Sequence, residues 1–132
     1  MVEKSKYDII GASHALNGIC LALKTEKNLK IDLVIAVAVL AAAYLLSVSK
    51  TELFLLIIAI GIVISAELFN TAIEKVVDLV CIDILKNQLQ RDEYNAFAKA
   101  AKDIAAGAVL VTAIMAAAIG LIIFIPKIYI LF

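Results

Sequence analysis

The sequence contains no tryptophan, one proline, one histidine and two cysteines in 132 residues. Charged residues make up only 18% of it, against about a quarter in a soluble domain. Cys20 and Cys81 are too few for a disulfide scaffold, and neither lies near a second cysteine or a histidine at zinc spacing. Both therefore read as small buried apolar residues. The five glycines form no G-x-x-x-x-G-K loop, which excludes a P-loop mechanism. A formal net charge of +0 gives no basic field, so no nucleic-acid partner is expected. The first thirty residues hold no continuous apolar core, so no cleavable signal peptide is expected either. What remains is apolar: 64% of the chain. That composition describes an integral membrane protein, and the length allows one domain spanning 1–132.

Three long apolar runs carry this reading. Leu33 to Val48 is broken only by Ser47; Leu53 to Ala66 only by Gly61 and Ser65; Ile104 to Ile125 only by Gly107, Thr112 and Gly120. The third suffices alone to cross about 30 Å of hydrocarbon; the first is shorter and extends into Ile31 and Asp32, and the second ends in Glu67 while its helical pattern continues to about Val80. The expected architecture is all-α, with a first span over 31–49 and a second over 53–80 that leaves the membrane partway along. A third helix and span is expected over 92–126. Lysine and arginine distribution sets the orientation. Lys4, Lys6, Lys24, Lys27 and Lys30 precede the first span, and Lys86, Arg91, Lys99 and Lys102 lie between the second and third. The first hairpin has only Lys50 and the tail only Lys127. The N-terminus is thus expected in the cytoplasm and the C-terminus outside.

Residues 5–24 follow a different pattern. Ile9, Ala12, Leu16, Ile19, Cys20 and Leu23 share one helical face, while Ser13, His14, Asn17 and Lys24 lie beside and beyond it. This predicts an amphipathic helix in the cytoplasmic interface, a reading compatible with packing on the chain's own spans. Gly11 and Gly18 are expected to mark close approach by another backbone.

The chemistry is concentrated in the second span. Glu67, Asn70, Thr71, Glu74 and Asp78 fall within about 100° of one another on a helix, spread over about 16 Å. Counting from Leu53, Glu67 lies about 21 Å along the helix and Glu74 about 31 Å. Glu67 is therefore expected just inside the cytoplasmic boundary and Glu74 at the headgroups. A carboxylate at membrane depth costs at least about 2.5 kcal/mol, so such a row does not face lipid by chance. Leu53 to Ile64 supplies no polar group nearer the outer face, which disfavours an ion pathway. Lys99, Lys102 and Asp103 open the third span, and Glu26, Lys27, Asn28 and Lys30 precede the first, all at the same membrane face. Carboxylates among lysines suit a magnesium–triphosphate group, because Mg²⁺ prefers oxygen ligands and usually arrives with phosphate.

The run Glu67-Leu-Phe-Asn70-Thr71-Ala-Ile-Glu74-Lys-Val-Val-Asp78 resembles the E-x-x-N-[ST]-A-I-E-x-V-V-D signature of the small prokaryotic lipid kinases acting on diacylglycerol or undecaprenol. Ala98-Lys99-Ala-Ala-Lys102-Asp103-Ile-Ala-Ala-Gly107-Ala-Val-Leu110 is similar to their second signature, and Glu26-Lys27-Asn28-Leu29-Lys30-Ile31 to the stretch before their first span. The resemblance implies a homotrimer in the bacterial inner membrane, phosphorylating a lipid alcohol with ATP and Mg²⁺ at sites shared between subunits. Glu67 would be the general base, Glu26 and Glu74 would hold the metal on ATP, and Asn70, Asp78 and Lys99 would shape the site. Lys102 and Asp103 would contact nucleotide phosphates and ribose. His14 stands where the family has an aromatic near adenine, and Glu93-Tyr94-Asn95 stands for the family's E-Y-H beside the nucleotide. Tyr7 replaces an expected basic residue, a place Lys4 or Lys6 could fill, and about 81–92 reads as an insertion. Phe69-Asn70-Thr71 and Ile104-Ala105-Ala106-Gly107-Ala108 lean toward the undecaprenol branch. Diacylglycerol is the alternative acceptor. A non-enzymatic three-span oligomer, its acidic row serving as interhelical glue, is a further alternative.

Overall fold

The computed structural model describes residues 10–87 and 91–130, with side chains described outside residue 10 and residues 83–95. Lys4, Lys6, Tyr7 and the start of the expected 5–24 segment lie outside the described residues, as do the side chains of Glu93, Tyr94 and Asn95. The described residues form four α-helices: α1 Ile10–Thr25, α2 Lys27–Leu45, α3 Lys50–Asn87 and α4 Arg91–Tyr129. α2 and the stretches Lys50–Ile82 and Ala96–Tyr129 are each long and apolar enough to cross a membrane. α3 has 38 residues and so runs about 57 Å, nearly twice the hydrocarbon thickness. One end must leave the bilayer, and the polar end is the one after Glu67.

The connections explain where the helices begin and end. Glu26 has extended backbone (φ −94°, ψ 122°) and separates α1 from α2, so α2 starts ahead of its apolar run. α2 stops at Leu45 because the next residues form a Schellman turn. Val48 N–H donates to the Ala43 carbonyl (3.1 Å) and Ser47 N–H to that of Tyr44 (3.2 Å). Ser47 holds the left-handed position at φ 49°, where glycine is usual. Ser49 and Glu52 then close a reciprocal capping box. Ser49 N–H donates to Glu52 Oε2 at 2.6 Å, and Glu52 N–H to Ser49 Oγ at 3.3 Å. Lys127 of α4 reaches the same Glu52 Oε2 at 3.1 Å, joining the apolar ends of α3 and α4.

Packing follows a seven-residue repeat along each helix. In α2, Leu29, Asp32, Ala36, Val39 and Ala43 form the covered stripe. In α3 the stripe is Leu56, Ile60, Val63, Glu67, Asn70 and Glu74. In α4 it runs Ala98, Lys102, Ala105, Val109, Thr112, Ala116, Ile119 and Ile123. α3 packs mainly on α4 and less extensively on α2, while α1 touches α2 and α3 lightly. At the apolar end Ala43, Leu56 and Ile123 form a buried cluster with Val39, Val48, Ile119 and Phe124 against it.

Two sequence expectations need correction. Cys20 is exposed and Cys81 half-buried, both as free thiols, because neither occupies a seam position. Among the described residues no atom lies within 4 Å of where a Cβ would stand on Gly11 or Gly18, so no described part of the chain's backbone approaches them there.

Candidate active site

The α3 stripe changes character midway without changing register. Toward the Leu53 end it is apolar, and from Glu67 onward the same positions carry Glu67, Asn70 and Glu74. The fold therefore places carboxylates where a helix seam normally places leucine. Glu67 is 3% exposed, Asn70 7% and neighbouring Thr71 8%, the buried polar residues among those described.

α2 supplies the other wall. Asn28 stands with its side chain within hydrogen-bonding reach of Glu67, and Asp32, Glu26 and Glu74 lie close enough to act on Glu67 electrostatically. Three further carboxylates thus act on Glu67, Glu74 from α3, Asp32 from α2 and Glu26 from the junction before α2. Asn70 Nδ2 donates to Glu74 Oε1 at 3.1 Å, one helical turn along α3. Asn70 Oδ1 is buried with no hydrogen-bond partner. An unpaired buried acceptor costs about 1–3 kcal/mol, so among the described residues this atom is an acceptor left open beside Glu74.

Glu26 sits at the junction of α1 and α2, outside the spans. Thr25 Oγ1 donates to its Oε1 at 2.8 Å, and Lys75 Nζ approaches the same oxygen at 3.1 Å. The Thr25 hydroxyl and then the Lys75 ammonium hold the Glu26 carboxyl below the usual carboxylate range. Because Lys75 follows Glu74 directly, this contact brings the Glu74 level of α3 to Glu26. A second cation has another partner: Lys30 Nζ donates to the Lys24 carbonyl at 3.0 Å, capping the end of α1.

α4 enters through Lys102, whose Nζ meets Asp78 Oδ1 at 2.6 Å and which lies within electrostatic range of Glu74. Lys102 continues the α4 seam, so the ion pair closes the α3–α4 hairpin beyond the buried residues. His14, Lys99 and Asp103 are exposed and take no part in these contacts. Glu93, Tyr94 and Asn95 belong to α4, with side chains outside the described residues. Among the sequence candidates, then, Glu67, Asn70, Glu74 and Glu26 gather in one place, and Asp78 and Lys102 pair beside it.

Asp32 and Lys75 were not among the sequence candidates. Asp32 had a signal: Asn28 and Asp32 are four apart at the start of an apolar helix, which puts both on one face. Lys75 had none, because it lies about 100° around the helix from Glu74.

An apolar groove of about 540 Å³ runs outward from this level between α2, α3 and α4. Ile35, Val39, Ile60, Val63, Ala116 and Phe124 are among its lining residues, and Asp32 is its one charged member. Since Val63 and Ile64 line it, the groove ends one turn from Glu67. Among the described residues no cluster of three or more potential metal ligands assembles. Two carboxylates, Glu26 and Glu74, are however the protein share that Mg²⁺ commonly takes alongside phosphate and water.

The family model for prokaryotic diacylglycerol kinase matches residues 13–124. Over 114 residues the chain is 42% identical to an undecaprenol kinase of Bacillus subtilis (strain 168), covering 86% of this chain and 85% of that one. Over 112 residues it is 37% identical to a diacylglycerol kinase of Synechocystis, covering 85% of this chain and 59% of that one. No solved structure matches it.

Proposed function

This chain belongs to the prokaryotic diacylglycerol kinase family and is a lipid kinase, and from that premise we propose that it transfers the γ-phosphoryl group of ATP to undecaprenol at the cytoplasmic face of a bacterial inner membrane. Membership sets aside the non-enzymatic oligomer. The observation that carries the site reading is Glu67, a carboxylate 3% exposed and one helical turn beyond the Val63–Ile64 end of an apolar groove. A lipid chain fits that groove, and its hydroxyl then arrives at the one place where burial and oxygen ligands meet.

In this reading Glu67 takes the hydroxyl proton as the alcohol oxygen attacks the γ-phosphorus and the bond to ADP breaks. Asn28 orients Glu67, and Asn70 Oδ1 accepts from a water at the site, since the alcohol's one hydroxyl proton goes to Glu67. Glu26 and Glu74 would hold Mg²⁺, which when bound with ATP offsets the negative charge of the phosphates. Lys102 exchanges Asp78 for a phosphate, Asp103 meets the ribose, and His14 stacks near the base. Glu93, Tyr94 and Asn95 border the nucleotide, and Lys99 and Asp78 shape the mouth of the site. The active assembly is a homotrimer, with α1 in the interface, the N-terminus cytoplasmic and the C-terminus outside.

Undecaprenol is favoured over diacylglycerol by the greater identity and coverage of the undecaprenol kinase relative. The test is competition between the two alcohols in one micelle preparation with labelled ATP. A clear kcat/KM preference for undecaprenol is expected. Preference for diacylglycerol would reverse the choice of acceptor and leave the kinase chemistry intact.

A further inference from the structure

Glu26 is the proposed metal ligand that already has a cation. Lys75 Nζ stands 3.1 Å from Glu26 Oε1, with Thr25 Oγ1 donating to the same oxygen at 2.8 Å. The other lysines described near the acidic cluster are engaged elsewhere: Lys102 on Asp78 and Lys30 on the Lys24 carbonyl. Lys75 is also the mobile kind of partner. Its side chain is 55% exposed while that of Glu26 is 20% exposed, and an ammonium on a four-carbon stem can swing into water at small cost.

We infer that Lys75 is a resident counter-ion of the metal site, holding Glu26 in the empty protein and yielding it when Mg²⁺ arrives with nucleotide. This rests on the reading of Glu26 as a metal ligand. A divalent cation on Glu26 and an ammonium against its Oε1 repel one another at short range. Loading therefore weakens or breaks the Lys75–Glu26 contact, and the strength of that contact sets part of the Mg²⁺ requirement. Lys75 is a positioning residue: it acts through Glu26 and touches neither acceptor nor reacting phosphorus.

The experiment measures binding of the non-hydrolysable ATP analogue AMPPCP to the detergent-solubilised protein as Mg²⁺ is titrated. Lys75→Met removes the charge and keeps the stem. It should lower the Mg²⁺ midpoint about two- to fivefold, as expected for loss of a mostly exposed ion pair. Lys75→Arg, which restores a cation, should return the midpoint to that of the wild type. An unchanged or higher midpoint in Lys75→Met would overturn the inference, as would Lys75→Arg behaving like Lys75→Met. Glu26→Gln separates the inference from its premise. It should raise the midpoint whichever residue occupies 75, and an unaltered midpoint in Glu26→Gln would refute the metal role of Glu26 itself.

Discussion

Asn70 gives one end of its amide to Glu74 at 3.1 Å and leaves the other, Oδ1, buried without a partner. The amide is thus half satisfied within its own helix. In a folded protein such an atom costs stability, and a site that tolerates it gains a preformed acceptor for a water. Asn70→Ala removes both the useful bond and the unsatisfied one, so its stability should stay within about 1 kcal/mol of wild type. Turnover should fall at least about tenfold, as expected when a positioned hydrogen bond at the site is lost. Thermal unfolding in detergent alongside the kinase assay checks this. Equal loss of stability and activity would mean that Asn70 is only structural.

Glu67→Gln keeps the volume and hydrogen-bonding shape of the side chain and removes its capacity to take a proton. Turnover should fall by about 10²–10⁴-fold, the usual worth of a general base. Binding of AMPPCP with Mg²⁺ should persist, since Glu67 is not among the proposed nucleotide contacts. Near-normal turnover in this variant would remove Glu67 from the role of base.

Much of this site was legible along the chain because it lies on one helix. The spacing of Glu67, Asn70, Thr71, Glu74 and Asp78 already fixes a common face, and α3 is helical throughout, so local periodicity carried over unchanged. The three apolar runs marked the spans for the same reason. What was not legible depends on contacts between helices. Asp32 reads as a stray polar residue at the start of an apolar run until α2 packs on α3 and turns it toward Glu67. Lys75 sits between two residues of the acidic signature and off its face, so only the α1–α2 junction gives it a partner. Ala101, Ala105, Ala108, Thr112 and Ala116 are small enough for close helix approach, but their spacing does not say to which helix. Ala105, Thr112 and Ala116 lie on the seam with α3, while Ala108 remains exposed.

Ser47 carries the left-handed turn between α2 and α3 at φ 49°. A left-handed backbone costs an L-residue about 1–2 kcal/mol, part of which glycine recovers after its own entropic cost. Ser47→Gly should therefore raise stability by about 0.5–1 kcal/mol without altering turnover, since the turn lies at the far end of α3 from Glu67. Thermal unfolding of the two proteins in the same detergent gives the comparison. A lower unfolding temperature for the glycine variant would mean that the serine side chain stabilises the turn in a way its backbone does not reveal.

The last prediction concerns assembly. Within one chain, only 6% of the most apolar stretch of α4 is buried, and Leu110, Val111, Ile114, Met115 and Ile122 on α4 are all more than half exposed. Lipid covers such a surface, and so does a second subunit. The proposed trimer with shared sites makes a specific claim about Lys102, which pairs with Asp78 of its own chain in this structure. If Lys102 serves the site of a neighbouring subunit, two inactive variants can complement each other. Glu67→Gln lacks the base but keeps Lys102, and Lys102→Ala keeps the base. Co-assembled at equal amounts, they should recover roughly a quarter of wild-type activity, the share of interfaces that pair one intact half with the other at random. Each variant alone should remain inactive, and the solubilised active species should have the mass of three subunits. No recovery in verified mixed assemblies would place Lys102 and Glu67 of the same chain in one site. Activity in a monomeric fraction would remove the trimer.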